Sequence, residues 1–561
     1  MIKLIEIDIE SEKFYYNNLF RDYIFNFEKV KDNYVYDYRK IDAYKKRYED
    51  VTCEYCNNSL RLNVADILLE YNKRLKCSQK TIKNIESLKE KESLVIIGGQ
   101  QPGFLTGSIF IIYKILTILK TSIFFQELLK VKVIPCFWNA ADDSNFSQVN
   151  NLNILEKELK SITLDLSNIK DIKPGMRLAN IFIPYESIKE KLIEVLSLLK
   201  PTEYSDKIRV FLLDCLEIAG KSFSNVNGMI NFPSFFSVLI SQMFSEYGLV
   251  VIDPSDIRLK KLALNLINYD LDNFPSIDNL VKDEGEKLIK KGYHAQINSD
   301  RSSSNFFMDD VNGVRQKITK EERNLFGFSE KLWTRNDMVS MIEKHASDLS
   351  LNVVLRPIFQ DTILPVLCTI CGPGEVSYFA QLNKAYKHLS KKMPIIYPRF
   401  SATIIENKIK KTLENFNIDV NDLKFDKDKF LKKIINKNLD INLDKTLANF
   451  EQDLILKLKN LEKFISNNGI EAGNSFDRIK RNLASEVMIL KKKLYSEYKK
   501  KNNYIIENLN KIYLNIFPNN NLQERELNIF NYINKYDFSF IDKLYNELGI
   551  LDFKHKFISI F

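Results

Sequence analysis

Leu94-Val-Ile-Ile-Gly-Gly-Gln-Gln-Pro-Gly-Phe-Leu-Thr-Gly107, followed at once by the apolar run from Ser108 to Leu119, is the stretch on which the fold turns. A short β-branched run, a glycine-rich loop and a long apolar segment predict buried strand, tight turn and helix. In an open parallel sheet such a turn lies at the carboxyl end of its strand, where ligands bind in the crevice. Gly98, Gly99, Gly103 and Gly107 are expected to let the backbone take positive φ and approach a ligand closely. The helix start beyond them is expected to offer free N–H groups to an anion. Two familiar phosphate loops are excluded. Phe104 and Leu105 stand where the Walker motif needs Lys and Ser/Thr, and G-x-G-x-x-G is absent. A glycine turn serving only strand–helix packing is the competing reading.

Beyond the helix, Val131 to Trp138 reads as a second strand opening into Asn139-Ala-Ala-Asp-Asp-Ser-Asn-Phe146. Strand, helix and strand form a βαβ unit, so both loops leave the same edge of a parallel sheet. Asp142 and Asp143 thus come within reach of the glycine loop. They suit an amino group, a metal-bound phosphate or a base, with a solvated turn as the alternative. Gly248 to Asp256 predicts a further strand, with Asp253 at its carboxyl end and helix-start chemistry after it. The apolar segment from Val353 carries Arg356, Gln360 and Asp361. It leads into a second glycine turn, Gly372-Pro-Gly374-Glu375, and a helix from Val376 to Tyr386. An arginine in so apolar a segment needs an anionic partner, either a protein carboxylate or a ligand.

At 561 residues the chain is expected to hold two or three domains. The predicted fold class is α/β. A parallel-sheet core spans 1–400, interrupted by inserted segments at about 155–240 and 277–341. The first insertion carries the turn Lys173-Pro-Gly-Met-Arg177; the second carries His294, whose bland reading is a packing or hydrogen-bonding residue. From 401 to 515 the composition turns rich in Lys, Asn and Leu. Phe450, Leu454, Leu458, Leu461 and Ile465, then Phe476, Ile479, Leu483, Val487, Leu490 and Leu494, recur at three- and four-residue steps around Gly469. This predicts an all-α antiparallel coiled coil serving self-association or bracing. The tail, 516–561, is expected to be helical and to pack back on the body.

Charge and cysteine usage narrow the partners. With 82 basic and 73 acidic residues the net charge is +9, which suits an anionic ligand. No nucleic-acid-binding motif accompanies it, so no nucleic-acid partner is expected. Seven cysteines without a secretory signal point to reduced thiols. Cys53, Cys56 and Cys77 offer zinc-type ligands without a nearby fourth, so no structural metal is expected. Cys368 and Cys371 lack a thioredoxin-like context for redox work. The N-terminus is too acidic for a signal peptide, and the apolar run Ile109 to Leu119 is broken by Lys114. A cytoplasmic protein without a membrane partner is the expectation.

The markers Gly98 to Gly107, Phe137-Trp138 with its acidic loop, Gly292-Tyr-His294, Arg356-Pro-Ile-Phe-Gln-Asp361, Gly372-Pro-Gly-Glu375 and Tyr397-Pro-Arg399 run in order along the chain. Together they resemble the bacillithiol-biosynthesis cysteine-adding enzymes, the BshC family, over essentially the whole length. The resemblance implies a Rossmann-like core with two connecting insertions and a coiled-coil domain that makes a homodimer. It also implies a ligase joining the carboxylate of cysteine to the amine of glucosaminyl-malate, the last step to bacillithiol. ATP/ADP is the implied cofactor, with Mg2+ left open.

On that chemistry, Asp142 or Asp143 holds the cysteine ammonium or accepts a proton from the attacking amine. Gln101 and His294 are the other catalytic candidates. Gly98, Gly99, Gln100, Gly103, Thr106 and Gly107 are expected to cradle phosphate or malate oxygens. Arg356 or Arg399 would neutralise the malate carboxylates, while Trp138, Asp253, Gln360, Asp361, Gly372, Gly374 and Glu375 line the crevice. The chain departs from the family pattern at Ser144-Asn145, where the family loop carries His and a further carboxylate, and at Cys371-Gly372, where a glycine pair is expected. These departures keep a second reading open, a catalytically altered member acting as a small-molecule-binding coiled-coil dimer.

Overall fold

The computed structural model describes residues 4–7, 17–55, 58–166, 169, 172–298, 303–321, 325–420, 423, 427, 430, 443–470, 474–501 and 503–560. They fall into two compact units. The first runs to Thr403 and takes up Glu524–Ile558; the second is built on Ile404–Gln523.

In the first unit, helices at Asn18–Phe25, Ile41–Glu54, Asn58–Arg74 and Gln79–Ser87 precede β1 (Leu94–Gln100). Helix α1 (Phe110–Leu129) and β2 (Val133–Asn139) complete the βαβ unit anticipated from the sequence. Next come β3 (Val250–Ile252) and α2 (Ile257–Leu262), with Asp256 capping α2 by accepting from the Arg258 amide at 2.9 Å. The second insertion supplies β4 (Ser303–Asp309), β5 (Arg315–Lys320), β6 (Phe326–Phe328) and β7 (Lys331–Trp333). After these follow β8 (Leu349–Leu351), α3 (Leu355–Ile363), β9 (Val366–Cys371), α4 (Pro373–Phe379) and β10 (Ile395–Pro398).

Strands β10-β9-β1-β2-β3 form one parallel sheet in that order. β2 and β9 are buried along their whole length, as apolar strands covered on both faces must be. Gly99 pairs with Trp138 and Gln100 with Asn139, so the glycine loop and the acidic loop leave the sheet at the same edge. β1 is flanked by β2 on one side and β9 on the other. The chain runs outward from β1 through β2 to β3 and later returns to place β9 and β10 on the other side of β1, and a crevice opens at that reversal of strand order.

The glycines do other work than the sequence suggested. Of Gly98, Gly99, Gly103 and Gly107 only Gly107 has positive φ, at 66°, and the unusual backbone is shared by Leu105 and Thr106. A Cβ on Gly98 would lie 3.1 Å from Ile118 Cδ1, one on Gly99 3.0 Å from the Trp138 carbonyl, and one on Gly103 2.6 Å from Gly107 Cα. These three are glycine because neighbouring backbone and side chains leave no room.

The first insertion contains an antiparallel hairpin, Asn151–Leu155 with Leu159–Thr163, and the helices Tyr185–Leu198 and Ser205–Phe223. The second forms, with β8, an antiparallel sheet ordered β7-β6-β5-β4-β8. Sequence reading did not reveal this sheet, because its strands are short and polar residues such as Ser303, Ser304 and Asn305 are buried in it. The helix expected from Val376 to Tyr386 is two helices, α4 and Asn383–His388. In the tail, Leu527 accepts the Ile109 amide at 2.8 Å, and Asn528 Nδ2 donates to the Leu105 and Gly107 carbonyls, each at 2.7 Å.

The second unit is helical, with Asn407–Asn415, α5 (Leu443–Asn467), α6 (Ser475–Lys501) and Asn503–Ile516. Lys480 on α6 pairs with Glu462 on α5 at 2.8 Å. Leu447, Phe476 and Val487 are buried along this coiled coil, whereas Phe450, Leu461, Ile479 and Leu490 stay exposed. Among the described residues no helix is long and apolar enough to cross a membrane.

Candidate functional site

A cavity of about 500 Å³ opens at the carboxyl edge of the parallel sheet. Gly99 and Gln100 reach it from β1, Trp138 from β2, and Gln101, Asp142 and Asp143 from the loops beyond. Lys260 comes from α2, Arg315 and Lys317 from β5, Arg356 and Phe359 from α3, and Glu375 and Tyr378 from α4. The floor is apolar and aromatic, and Trp138 packs edge-on to Phe359 with ring centroids 6.4 Å apart.

The adjacent aspartates are held in different ways. Asp142 Oδ1 accepts from Arg177 Nη1 at 2.8 Å and pairs with Lys260 Nζ at 3.1 Å. Burial favours its neutral form, but Lys260 and Arg177 outweigh that and hold the carboxyl below the usual range. Asp142 is thus a fixed anion and a poor base. Lys260 also donates to the Ser347 and Leu349 carbonyls, at 2.9 and 2.5 Å. Burial lowers its pKa against the pull of Asp142. Asp143 accepts from Gln101 Nε2 at 2.8 Å and from the Ser144 and Asn145 amides at 2.6 and 3.2 Å. Among the described residues no cation lies within ion-pair distance of it.

Two guanidiniums present the converse. Arg315 lies over the Phe307 ring, 3.8 Å from its centroid, and donates to Ser350 Oγ at 2.8 Å and the Leu351 carbonyl at 3.1 Å. Arg356 donates to Tyr378 Oη at 2.8 Å. Neither has a carboxylate within ion-pair distance among the described residues. Burial lowers the Arg315 pKa against the pull of Asp142 and Asp143, while Tyr378 and Glu375 hold the Arg356 charge against burial, and with no carboxylate in contact both favour an anion entering the cavity.

Beneath them Lys114, 1% exposed, donates to the Gly99 carbonyl at 2.6 Å, Gln100 Oε1 at 3.2 Å and Glu375 Oε2 at 2.5 Å. Glu375 also accepts the Gly372 amide at 2.7 Å, closing the first turn of α4.

The structure thus brings Gly99, Gln100, Gln101, Trp138, Asp142, Asp143, Arg356 and Glu375 of the anticipated residues into one cavity wall. Others stand apart. Gly98 lies within β1, packed against Ile118 of α1 and Ile370 of β9. Gly103, Thr106 and Gly107 are buried away from the cavity, and the amides of Phe104, Gly107 and Ile109 are committed to the carbonyls of Val149, Phe104 and Leu527. That half of the loop is no anion cradle. Arg399 is buried against Glu524 at 2.5 Å and is not free for a ligand. His294 is exposed and bonded to Gln296 at 2.9 Å. Asp253 is buried and accepts from Ser255; Asp361 accepts from Tyr386 Oη at 2.5 Å. Gln360 and Gly372 are buried, and Gly374 is exposed.

Lys260, Arg315, Arg177 and Lys114 were missed. Lys114 alone left a signal, as the one charge in the apolar run of α1. Cys368 and Cys371 are buried in β9, where burial pushes both thiols up; Cys53 is exposed, and Cys56 lies outside the described residues. Among the described residues no group of three or more His, Cys, Asp or Glu is placed to hold a metal ion.

Fold and site together define a Rossmann-like α/β protein with a ligand cavity at its sheet edge and a helical coiled-coil domain. Residues 2–400 match the family model "Bacillithiol biosynthesis BshC, N-terminal Rossmann-like domain", and residues 402–560 match its C-terminal coiled-coil domain. The chain belongs to the BshC family of bacillithiol biosynthesis. A relative from Desulforamulus reducens is 28% identical over 547 residues, covering 96% of each chain. One from Salinibacter ruber is 27% identical over 547 residues, covering 97% of this chain and 96% of its own. Both carry the name "Putative cysteine ligase BshC".

Proposed function

We propose that the protein is a cysteine ligase of bacillithiol biosynthesis, joining the cysteine carboxylate to the amine of glucosaminyl-malate. One observation supports this most. Among the described residues the cavity combines two guanidiniums with no carboxylate within ion-pair distance, Arg315 and Arg356, with a carboxylate, Asp143, that has no cation that near. That set complements a malate dicarboxylate and the ammonium of an amino acid. Asp143, fixed by Gln101 and two amides, receives the ammonium or the proton of the attacking amine. Asp142 keeps Lys260 and Arg177 in place.

Amide formation from a free carboxylate needs activation, which we assign to ATP with Mg2+. The Gly103–Gly107 half-loop does not fit the triphosphate, since it is buried away from the cavity with its Phe104 and Gly107 amides already bonded, so no step is derived through it. Ser144 and Asn145 contribute backbone amides to Asp143, so the departure from the family's acidic loop leaves that carboxylate oriented. This favours an active enzyme over a binding protein. The exposed Phe450, Leu461 and Ile479 on α5 and α6 favour a homodimer through the coiled coil. The reading places the protein in the cytoplasm, where thiols stay reduced.

The test is incubation with cysteine, glucosaminyl-malate, ATP and Mg2+, followed by mass spectrometry. The conjugate is expected, with ADP marking an acyl phosphate or AMP an adenylate. Malate binding without conjugate would replace the ligase by the binding-protein reading.

A further inference from the structure

The turn Lys173-Pro-Gly-Met-Arg177 belongs to neither large sheet, yet it sits between the two ends of the cavity. Arg177, 2% exposed, donates through Nη1 to Asp142 Oδ1 at 2.8 Å, through Nε to Asp309 Oδ2 at 2.7 Å and through Nη2 to the Ser347 carbonyl at 2.9 Å. Asp309 closes β4, and Asn180 Nδ2 donates to its Oδ2 at 2.7 Å.

The backbone repeats the same bridge. On one side the Leu178 amide donates to the Asp143 carbonyl at 2.7 Å, and the Ala179 amide to the Ala141 carbonyl at 2.8 Å. On the other, the Arg315 amide donates to the Gly175 carbonyl at 3.1 Å, and Met176 forms a β-bridge with Val314. Gly175 needs to be glycine here. Its φ is +84°, and a Cβ would come within 3.2 Å of Val314 Cγ1. Residues 175–179 therefore hold the acidic loop with one edge and β5 with the other.

We propose that Arg177 is a positioning residue which, with its turn, sets the separation between Asp143 and Arg315, so that one acidic substrate meets both. The inference rests on reading the cavity as the substrate site. Arg177 suits the task because its planar fork reaches two carboxylates and a carbonyl at once, whereas an ammonium on a flexible stem does not reproduce that bridge. A purely structural arginine would change stability alone. A positioning arginine also changes how Arg315 performs.

The experiment is a double-mutant cycle on the full chain, with L-malate as the probe in isothermal titration calorimetry and a melting curve for each variant. Arg177→Lys and Arg315→Met are each expected to weaken malate binding about tenfold or more, and the double variant no more than about twofold beyond the weaker single. Independent losses that multiply, or unchanged binding in Arg177→Lys, would overturn the proposal. If Arg177→Lys does not fold, Asp309→Asn replaces it. That variant loosens the anchor to β4 while keeping the bond to Asp142, and the same non-additivity with Arg315→Met is expected. Should Arg315→Met itself leave malate binding unchanged, the cavity reading fails and the positioning role with it. A loss in Arg315→Met that multiplies with the Arg177 loss sinks the positioning role alone.

Discussion

Lys114 donates to Glu375 at 2.5 Å and thereby ties the helix after β1 to the first turn of the helix after β9. The pair lies directly under the cavity, and the same ammonium holds the Gly99 carbonyl and Gln100. Lys114→Met strands Glu375 beside buried backbone. It should cost about 3 kcal/mol of unfolding free energy in urea titration, in the range for breaking a buried pair. Lys114→Arg should lose less.

The two neighbouring aspartates should separate in their effects. Asp142→Asn leaves Arg177 and Lys260 short of a counter-charge, so stability should fall by about 2–4 kcal/mol along with turnover. Asp143→Asn removes a carboxylate that, among the described residues, has no cation within ion-pair distance. Its stability should stay within about 1 kcal/mol of the parent while conjugate formation drops at least about a hundredfold. Equal stability losses in the two variants would contradict the ion pairing described for Asp142.

Removing the Arg356 guanidinium should hurt binding more than folding. Arg356→Met is expected to melt slightly below the parent temperature, because the attraction of Glu375 and the bond to Tyr378, which together hold the charge against burial, are lost. Malate affinity measured by calorimetry should fall about tenfold, or roughly 1.4 kcal/mol.

Asp361 predicts a pH dependence. Burial lifts its carboxyl to about 7, against the opposing pull of Arg47 and the hydrogen bond from Tyr386. Among the described residues its Oδ1 is buried without a hydrogen-bond partner. The folded state therefore binds this proton more tightly than the unfolded chain. The associated stability is fully present below about pH 4 and is lost as pH rises through about 7. Asp361→Asn cannot ionise and should flatten that fall, by up to about 4 kcal/mol between pH 4 and pH 8, at about 1.4 kcal/mol per unit. Denaturant midpoints at the two pH values check it.

Ser144→Ala should leave turnover within about twofold, since only its backbone amide orients Asp143. A large loss would give the side chain a role that this geometry does not show.

What was legible in the sequence was local. The β-branched run into Gly98-Gly99, the glycine turn at Gly372 and the three-and-four spacing from Phe450 to Leu494 each predict their element, because strand, turn and helix signals reside in adjacent residues. One βαβ unit then suffices to bring the glycine loop and Asp142-Asp143 to one sheet edge. The β4–β8 sheet escaped because its short strands bury polar residues whose partners lie elsewhere in the chain.

The sequence by itself thus determined the parallel-sheet core, the coiled coil and the presence of Gln100, Gln101, Asp142, Asp143 and Arg356 near one crevice. Only the tertiary structure decided which charges there are free. Arg399 looked as available as Arg356, yet it faces Glu524 from the far end of the chain, whereas Arg315, in a polar stretch with no local mark, has no carboxylate within ion-pair distance among the described residues. Whether a charge is neutralised depends on what lies across from it in space, and sequence periodicity carries no record of that.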